Sequence, residues 1–235
     1  MPHYLVVVAD AKEIQAFLDS TPFTPIRDNV YRIIFDSFAV DVLISGWGSE
    51  LAVHTLKLWL RQSDIFYDFW INIGIAGASS SQIPLHKTYS ITTVEKIIHR
   101  PKSLSNFSGL QARARMEQEK ESCPWIVDPL SPSVSTRPLP IFPSAHLYTA
   151  PSPVNEGINS SFDLIDMEGY GIASIARDIG TPISLIKTTS DYTNSAAGLF
   201  IHIHLPQLSE QIKDSLNQAL LFLEEQPSFF SYENV

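Results

Sequence analysis

The sequence predicts a single domain of the α/β class, and three observations carry that prediction. Short apolar runs typical of buried strands alternate along the chain with segments of helical periodicity, which is the pattern of α/β layer folds. The chain has 235 residues, a length that one α/β domain routinely reaches. Hydrophobic residues make up 44% and charged residues 17%, which is enough apolar material for a core and unlike a disordered chain.

The individual elements follow from local patterns. Residues 4–9 form an apolar run that predicts a first buried strand, and residues 11–18 predict the opening of a helix. Further strands are predicted over residues 31–35, 40–45, 69–73, 88–93 and 183–186, and further helices over residues 50–61 and 206–224. No internal repeat or linker interrupts this succession, so we predict one domain over residues 1–235.

The middle of the chain is the least regular part. It is rich in proline, and its first half is polar. We interpret residues 97–160 as a divergent insertion or lid with one or two strands, one of them over residues 146–149.

Composition excludes several classes of protein. The formal net charge is −9, whereas a nucleic-acid groove needs a basic stripe. No apolar run approaches the roughly 18 residues of a membrane helix, and the N-terminus lacks the basic start of a signal peptide. The single cysteine, Cys123, cannot form an intrachain disulfide, which suits a reducing compartment. We therefore expect a cytoplasmic protein that binds neither nucleic acid nor membrane.

Acidic residues at the ends of apolar elements are the first candidates for chemistry. Glu168 follows the apolar run at 164–165, and Asp191 follows the strand predicted at 183–186. Carboxylates are costly to bury without a role, and ligand sites of open α/β sheets form at strand ends. A structural ion pair or a helix cap would also explain either residue. Glu13, four residues after the first strand, is by itself an ordinary first-turn helix acid.

Two weaker motifs also stand out. The segment NIGIAGA, residues 72–78, predicts a turn after a strand, where Gly74 and Gly77 would let backbone amides approach a ligand; a tight turn alone would explain it equally well. It lacks the spacing of a dinucleotide or phosphate-binding loop. His202 and His204 alternate as on one face of a strand, but zinc needs a third ligand and none is near in sequence. We expect no metal site.

Together these segments resemble the purine nucleoside phosphorylase superfamily. Within it, the sequence is most similar to the 5′-methylthioadenosine/S-adenosylhomocysteine nucleosidases, a branch that includes enzymes acting on aminofutalosine in menaquinone synthesis. Five segments match in the family's order: VVVADAKEI (6–14), SGWGSELA (45–52), INIGIAGA (71–78), DMEGYGIA (166–173) and TTSDYTN (188–194). The resemblance implies a three-layer α/β fold around a mixed, partly barrel-like sheet flanked by helices. It also implies a homodimer and no metal or organic cofactor.

The resemblance also implies roles for individual residues. Glu13 matches the glutamate that activates water, and Asp191 matches the acid that protonates the purine, with Ser190 beside it. Met167 and Glu168 match the pair that packs on the ribose and hydrogen-bonds its hydroxyls. The remaining matches are with substrate-binding positions, namely Ile75, Ala76 and Gly77 in the NIGIAGA segment and Phe200, an aromatic residue of the 5′ pocket.

Chemistry makes this set coherent. Cleavage of an N-glycosidic bond passes through an oxocarbenium-like state, and the base leaves poorly until it is protonated. One carboxyl group must therefore supply a proton while another orients water at the sugar carbon, as in glycoside hydrolysis. The resemblance thus implies a nucleosidase that releases the purine from a 5′-modified nucleoside, namely methylthioadenosine, S-adenosylhomocysteine, 5′-deoxyadenosine, futalosine or aminofutalosine.

The sequence also departs from the family at several positions. Lys187 stands where the nucleosidases carry arginine and cannot make the same bidentate fork. Ile75 replaces a residue that is often Ser or Thr. A phosphorylase would need cationic and amide donors for phosphate, whereas Glu13 would repel it, so we favour hydrolysis. A phosphate-dependent phosphorylase and a non-catalytic nucleoside-binding protein of the same fold are the two alternatives.

Overall fold

The computed structural model describes residues 1–99, 124–155 and 162–230. Much of the region that we interpreted as an insertion or lid, residues 100–123 and 156–161, lies outside the described residues. Its described parts contain three short strands where we predicted one or two. The expected strand at 146–149 is confirmed within the third of them.

The described residues form a large sheet with helices on both sides. Its strands are β1 (His3–Val8), β2 (Thr24–Arg27), β3 (Val30–Ile34), β4 (Ala39–Ile44), β5 (Phe69–Ala78), β6 (Thr88–His99), β7 (Trp125–Val127), β8 (Val134–Ser135), β9 (Ser144–Thr149), β10 (Leu164–Asp166) and β11 (Ile183–Asp191). The α-helices are α1 (Gln15–Ser20), α2 (Ser49–Gln62), α3 (Gly169–Ile179) and α4 (Ala197–Glu225). Two short 3-10 helices cover Ala11–Glu13 and Pro227–Phe230.

The sheet is mixed and partly closed. The strand order is β10-β9-β6-β11-β5-β1-β4-β3-β2, and β10 also pairs with β5, which closes a ring of five strands. Within the ring, β11 runs parallel to β5, while β6 runs antiparallel to β11. The short strands β7 and β8 both pair with β6. The fold class is therefore confirmed, including the partly barrel-like sheet.

Beyond the ring, the sheet continues as an open arm. It passes from β5 through β1, β4 and β3 to β2. Strand β2 has only four residues, all exposed, and its pairing with β3 shifts register between Pro25 and Arg27. Strand β2 therefore forms the free end of this path.

Side chains that alternate along the strands pack into two separate cores, one on each face of the sheet. The sheet and the helices on its two faces form the three layers. Leu5 and Val7 of β1 pack in the core that includes residues of α2 and α3. Tyr4 and Val6 point to the other face and pack in the core that includes residues of α1 and α4. A strand buried on both faces is largely apolar, which is why β1 has an unbroken apolar run from Leu5 to Val8.

The turn that we predicted in the NIGIAGA segment, residues 72–78, is instead strand. β5 continues to Ala78, and neither Gly74 nor Gly77 has a positive φ. Strand β11 pairs with β5 as far as Gly77, and β10 pairs with Gly77 and Ala78. Pairing on both sides therefore overrides the turn preference of the glycines.

The histidine pair also lies in a different element from the one predicted. His202 and His204 belong to α4, which begins at Ala197, nine residues before the predicted start, and contains Pro206. Residues two apart on a helix point about 200° apart, so the two rings do not share a face. The predicted first helix is also divided, because Ala11–Glu13 is a 3-10 helix and α1 starts at Gln15.

No helix in the described part of the chain is long and apolar enough to cross a membrane.

Candidate active site

The candidate residues meet where three neighbouring strands end. Strands β1, β5 and β11 are parallel, with β5 between the other two. Glu13 follows β1, while Ser190 and Asp191 complete β11. The carboxyl ends of parallel strands share one edge of the sheet, which is where ligand sites of α/β folds form. Segments far apart in sequence thus place Glu13 and Asp191 at one edge of the sheet.

Glu13 is held in a closely fitted, buried position. Its side chain comes from the 3-10 helix after β1, and Oε2 accepts a hydrogen bond of 3.0 Å from the backbone N–H of Ile75. A Cβ atom at Gly74 would lie 2.5 Å from the same oxygen, so only glycine leaves room for the carboxyl group. Burial raises the pKa of Glu13 from 4.5 to about 8, although the nearby Lys187 opposes the rise.

Beside Glu13 lies a buried ion pair that we did not predict from the sequence. Lys187 Nζ is 2.9 Å from Asp166 Oδ2, and both side chains are almost inaccessible to solvent. Burial favours a lower pKa for Lys187, but the charges of Asp166 and Glu168 outweigh it and raise that pKa. Lys187 therefore keeps its positive charge in a site with three carboxyl groups, those of Glu13, Asp166 and Glu168.

Asp166 also organises the backbone around the ion pair. Its carboxylate accepts hydrogen bonds from the Thr149 hydroxyl at 2.7 Å and from the Gly169 N–H at 2.9 Å. These contacts join the end of β9 to the start of α3. In sequence, Asp166 and Glu168 show the same signal, an acid at the end of an apolar run. That signal did not show which of the two would pair with Lys187.

Glu168 and Met167 form the connection between β10 and α3. Glu168 Oε1 accepts a hydrogen bond of 2.6 Å from the backbone N–H of Gly48, which has a φ of +86° at the start of α2. Glu168 is the N-cap residue of α3, but its side chain makes no cap hydrogen bond. The helix-cap explanation for Glu168 is therefore wrong. Burial, followed by the charge of Asp166, raises the pKa of Glu168.

Asp191 is held by donors on both carboxylate oxygens. The Ser190 hydroxyl lies 2.6 Å from Oδ2, and the Thr193 N–H donates to Oδ1 at 2.6 Å. The Ser190 hydroxyl also lies 3.3 Å from the carbonyl oxygen of Ala76. A Cβ atom at Gly77 would lie 3.2 Å from Asp191 Oδ1 and 2.4 Å from the Thr193 side chain. The NIGIAGA segment thus positions both acidic residues, Glu13 through Ile75 and Asp191 through Ala76 and Gly77.

The aromatic contacts of Phe200 are with histidines and not with these carboxyl groups. Its half-buried ring stacks on His204 with a centroid distance of 4.2 Å and meets His86 edge-on at 6.0 Å. His86 in turn donates its backbone N–H to the carbonyl of Thr189, two residues before Asp191. Within the described residues, no group of three or more His, Cys, Asp or Glu side chains could hold a metal ion.

A cavity of about 710 Å³ opens next to Met167 and Gly48. It is lined by Trp47, Gly48, Ser49, Glu50, Leu51, Lys96, Thr149, Ala150, Pro151 and Met167. Glu13 and Asp191 are absent from this wall, although Met167 and Gly48 connect it to Glu168. The site therefore consists of a buried set of carboxyl groups and an adjoining open cavity.

Solved structures with this architecture are 5′-methylthioadenosine/S-adenosylhomocysteine nucleosidases (MTAN). An MTAN variant from Chlamydia trachomatis bound to MTA is 28% identical over 94% of this chain and 98% of that chain, with a TM-score of 0.74. The Chlamydia trachomatis MTAN bound to adenine is 28% identical over 93% and 97%, with a TM-score of 0.72.

A more distant structure shares the fold alone. The Helicobacter pylori nucleosidase with butyl-thio-DADMe-Immucillin-A is 13% identical over 96% of this chain and 99% of that chain, with a TM-score of 0.69. No protein-family model and no curated protein matches the sequence. The predicted resemblance to the MTAN branch is confirmed by these structures, and the chain has the MTAN fold over nearly its whole length.

Proposed function

We propose that the protein hydrolyses the N-glycosidic bond of a 5′-modified purine nucleoside and releases the free base. The observation that carries this proposal is the placement of Glu13 and Asp191 at the ends of strands on either side of β5. Hydrolysis of a glycosidic bond needs two carboxyl groups, one for the leaving group and one for water. The likeness to MTAN structures at 28% identity supports the same activity class.

In this proposal the two carboxyl groups have different tasks. Asp191 carries or relays the proton that the purine takes up as it leaves, and Ser190 fixes one of its oxygens. Glu13 accepts a proton from the attacking water, which it can do only when ionised. Its backbone bond from Ile75 holds the carboxylate in place for that step.

Glu168 and Met167 bind the ribose. Carboxylates hold sugar hydroxyls by charge-assisted hydrogen bonds, and methionine offers an adaptable apolar surface beneath the ring. Glu168 is held by the N–H of Gly48, and Met167 lines the adjoining cavity. That cavity takes up the part of the substrate that extends beyond the sugar.

Water is favoured over phosphate as the nucleophile. Three carboxyl groups lie near the buried ammonium group of Lys187, which is already bound to Asp166. A phosphate ion entering this part of the site would find Lys187 already paired with Asp166 and acidic side chains beside it, whereas phosphate sites present amide and cationic donors.

The experiment is a panel of nucleosides with and without phosphate. The panel contains methylthioadenosine, S-adenosylhomocysteine, 5′-deoxyadenosine, futalosine and aminofutalosine, and base release is measured by chromatography. We expect adenine or hypoxanthine to appear without phosphate, and preference for futalosine or aminofutalosine would place the enzyme in menaquinone synthesis. Release only with phosphate would establish the phosphorylase alternative, and tight binding without release would establish a nucleoside-binding protein.

We further propose a cytoplasmic homodimer that requires no cofactor. The side of α2 next to the cavity exposes Leu51 and Leu58, with Trp47 just before the helix, and such apolar groups favour association. Sedimentation at several concentrations should give twice the chain mass of 26.2 kDa. A monomer mass at all concentrations would contradict the dimer.

A further inference from the structure

One cationic side chain lines the cavity beside the ribose residues, and the proposed mechanism gives it no task. Lys96 lies on the cavity wall with Trp47, Leu51, Pro151 and Met167. Its side chain is 42% exposed, so Asp128 does not shield it fully from solvent on the cavity side. Among the described residues, the only other charged one on this wall is Glu50, at the exposed start of α2.

Lys96 is held in place from two directions. Its backbone pairs with Thr149 of β9, a residue whose hydroxyl donates to Asp166. Its carbonyl accepts a hydrogen bond of 2.8 Å from Asp128, and its ammonium group lies 3.4 Å from Asp128 Oδ2. Lys96 is thus connected through Thr149 to Asp166, one member of the buried ion pair.

Asp128 serves this position as an anchor. Its carboxylate also accepts from the Leu130 N–H at 3.1 Å and from the Ser131 hydroxyl at 2.8 Å. An ammonium group has three N–H donors, and the described structure uses one of them, on Asp128. The anchored lysine can therefore donate to a ligand in the cavity without leaving Asp128.

The remaining wall is largely apolar, which sets the kind of ligand that the lysine would bind. Trp47, Leu51, Pro151 and Met167 suit an apolar substituent, and a neutral substituent would gain nothing from the ammonium group. A carboxylate at the end of such a substituent would form a charge-assisted hydrogen bond with it, which is stronger than a bond between neutral groups.

We propose that Lys96 is a specificity-determining residue that binds a carboxylate on the substituent which the substrate carries beyond its ribose. This inference rests on the proposed nucleosidase function. It adds that the protein prefers 5′-modified nucleosides with an apolar, acid-terminated substituent over neutral ones of the same length.

The experiment compares two 5′-thioadenosines of matched length, one with a propyl group and one with a 2-carboxyethyl group on sulfur. The ratio of their kcat/KM values is measured for the wild type, Lys96→Met, Lys96→Arg and Lys57→Met. Lys57 is an exposed lysine of α2 outside the cavity wall and serves as the matched control. We expect Lys96→Met to reduce the preference for the carboxylated substrate about 10- to 100-fold. Lys96→Arg should keep most of the preference, and Lys57→Met should keep all of it.

The outcomes separate this inference from the function on which it rests. Base release with the same substrate ratio in the wild type and Lys96→Met overturns the role of Lys96 and leaves the nucleosidase in place. An equal fall in Lys57→Met would show a general effect of surface charge and would also overturn it. No base release from either substrate by the folded wild type overturns the proposed function and the inference together.

Discussion

At the scale of single residues, Glu13 and Asp191 depend on different surroundings. Glu13 is buried and accepts one backbone hydrogen bond, so its charged form is poorly solvated. Both oxygens of Asp191 have donors, from Ser190 and Thr193. Two carboxyl groups in unlike environments are what acid–base catalysis with two roles requires.

Glu13→Gln and Asp191→Asn should each lower kcat by about 100- to 10,000-fold, the usual contribution of a general acid or base. The amides keep the shape of the side chains and remove their proton chemistry. Steady-state base release measures the effect, with Glu225→Gln as a matched control at an exposed position at the end of α4. Full activity in Glu13→Gln would rule out the water-activating role.

The raised pKa of Glu13 predicts a pH dependence. Because a base must be ionised, kcat/KM should rise with pH and level off above about 8. Lys187→Met removes the cation that favours ionisation, so this rise should move to higher pH, while Lys187→Arg should leave it near the wild-type position.

Lys187→Met alone leaves Asp166 buried without its partner, which is strongly destabilising. The double variant Asp166→Asn/Lys187→Met removes both charges of the pair and should fold better. A pH profile of the double variant that coincides with the wild type would contradict the influence of Lys187 on Glu13.

At the scale of elements, β5 fixes the site through its glycines. Gly74→Ala would place a Cβ atom 2.5 Å from Glu13 Oε2, so the carboxyl group must move. We expect a loss of at least about 10-fold in kcat/KM with the fold retained, since small displacements of catalytic groups are costly. Gly198→Ala in α4 is the matched control, because a Cβ atom there meets nothing within 4 Å. Equal activity in both variants would show that Gly74 has no such role.

The same elements show what could be predicted from sequence. The buried strands β1, β4 and β11 were predicted within a few residues at their starts, because burial on both faces leaves them mostly apolar there, apart from Asp41 in β4 and Ser184 in β11. Strand β2 was missed because all four of its residues are exposed. The extent of β5 past Gly74 was missed because its pairing with β10 and β11 joins segments more than 80 residues away.

The candidate acids could be chosen from the sequence, whereas the side chains that contact them could not. Acidic residues after apolar runs identified Glu168 and Asp191, and the family resemblance added Glu13. The pair of Asp166 with Lys187 depends on side chains from β10 and β11, which lie apart in sequence and are not adjacent in the sheet. Lys187 was noted only as a departure from arginine, since no local pattern shows which carboxylate a lysine will meet.

At the scale of the whole molecule, the buried Glu13 should lower the free energy of unfolding as pH rises. Folding raises the pKa of Glu13 from 4.5 to about 8, so the folded state binds a proton more tightly than the unfolded state between these values. Stability from this group is complete below about pH 4.5 and is lost as pH rises through 8. Glu13→Gln should therefore become more stable than the wild type as pH rises, by up to about 5 kcal/mol.

Urea unfolding of both proteins between pH 5 and about pH 8.5 measures this difference, because pairing the two proteins cancels the titration of groups that do not interact with Glu13. Asp41, for example, is buried, yet hydrogen bonds from Arg32 and Tyr67 hold its pKa below the usual range. The stability that Asp41 contributes is lost as pH falls, opposite to that of Glu13, and it is the same in both proteins. A free-energy difference that does not change with pH would contradict the buried, protonated state of Glu13.

The open arm of the sheet, which ends at β2, affects whether the protein aggregates at high concentration. An unpaired strand edge can recruit a strand from another molecule, which is the usual start of aggregation. Closing the ring of five strands removes one such edge, and the described path then ends at β2. That strand is short and interrupted in register, and it carries Pro25 and Arg27 on its exposed surface. These features resist edge-to-edge growth into fibrils, so self-association of the native protein should involve its helices and stop at a defined size.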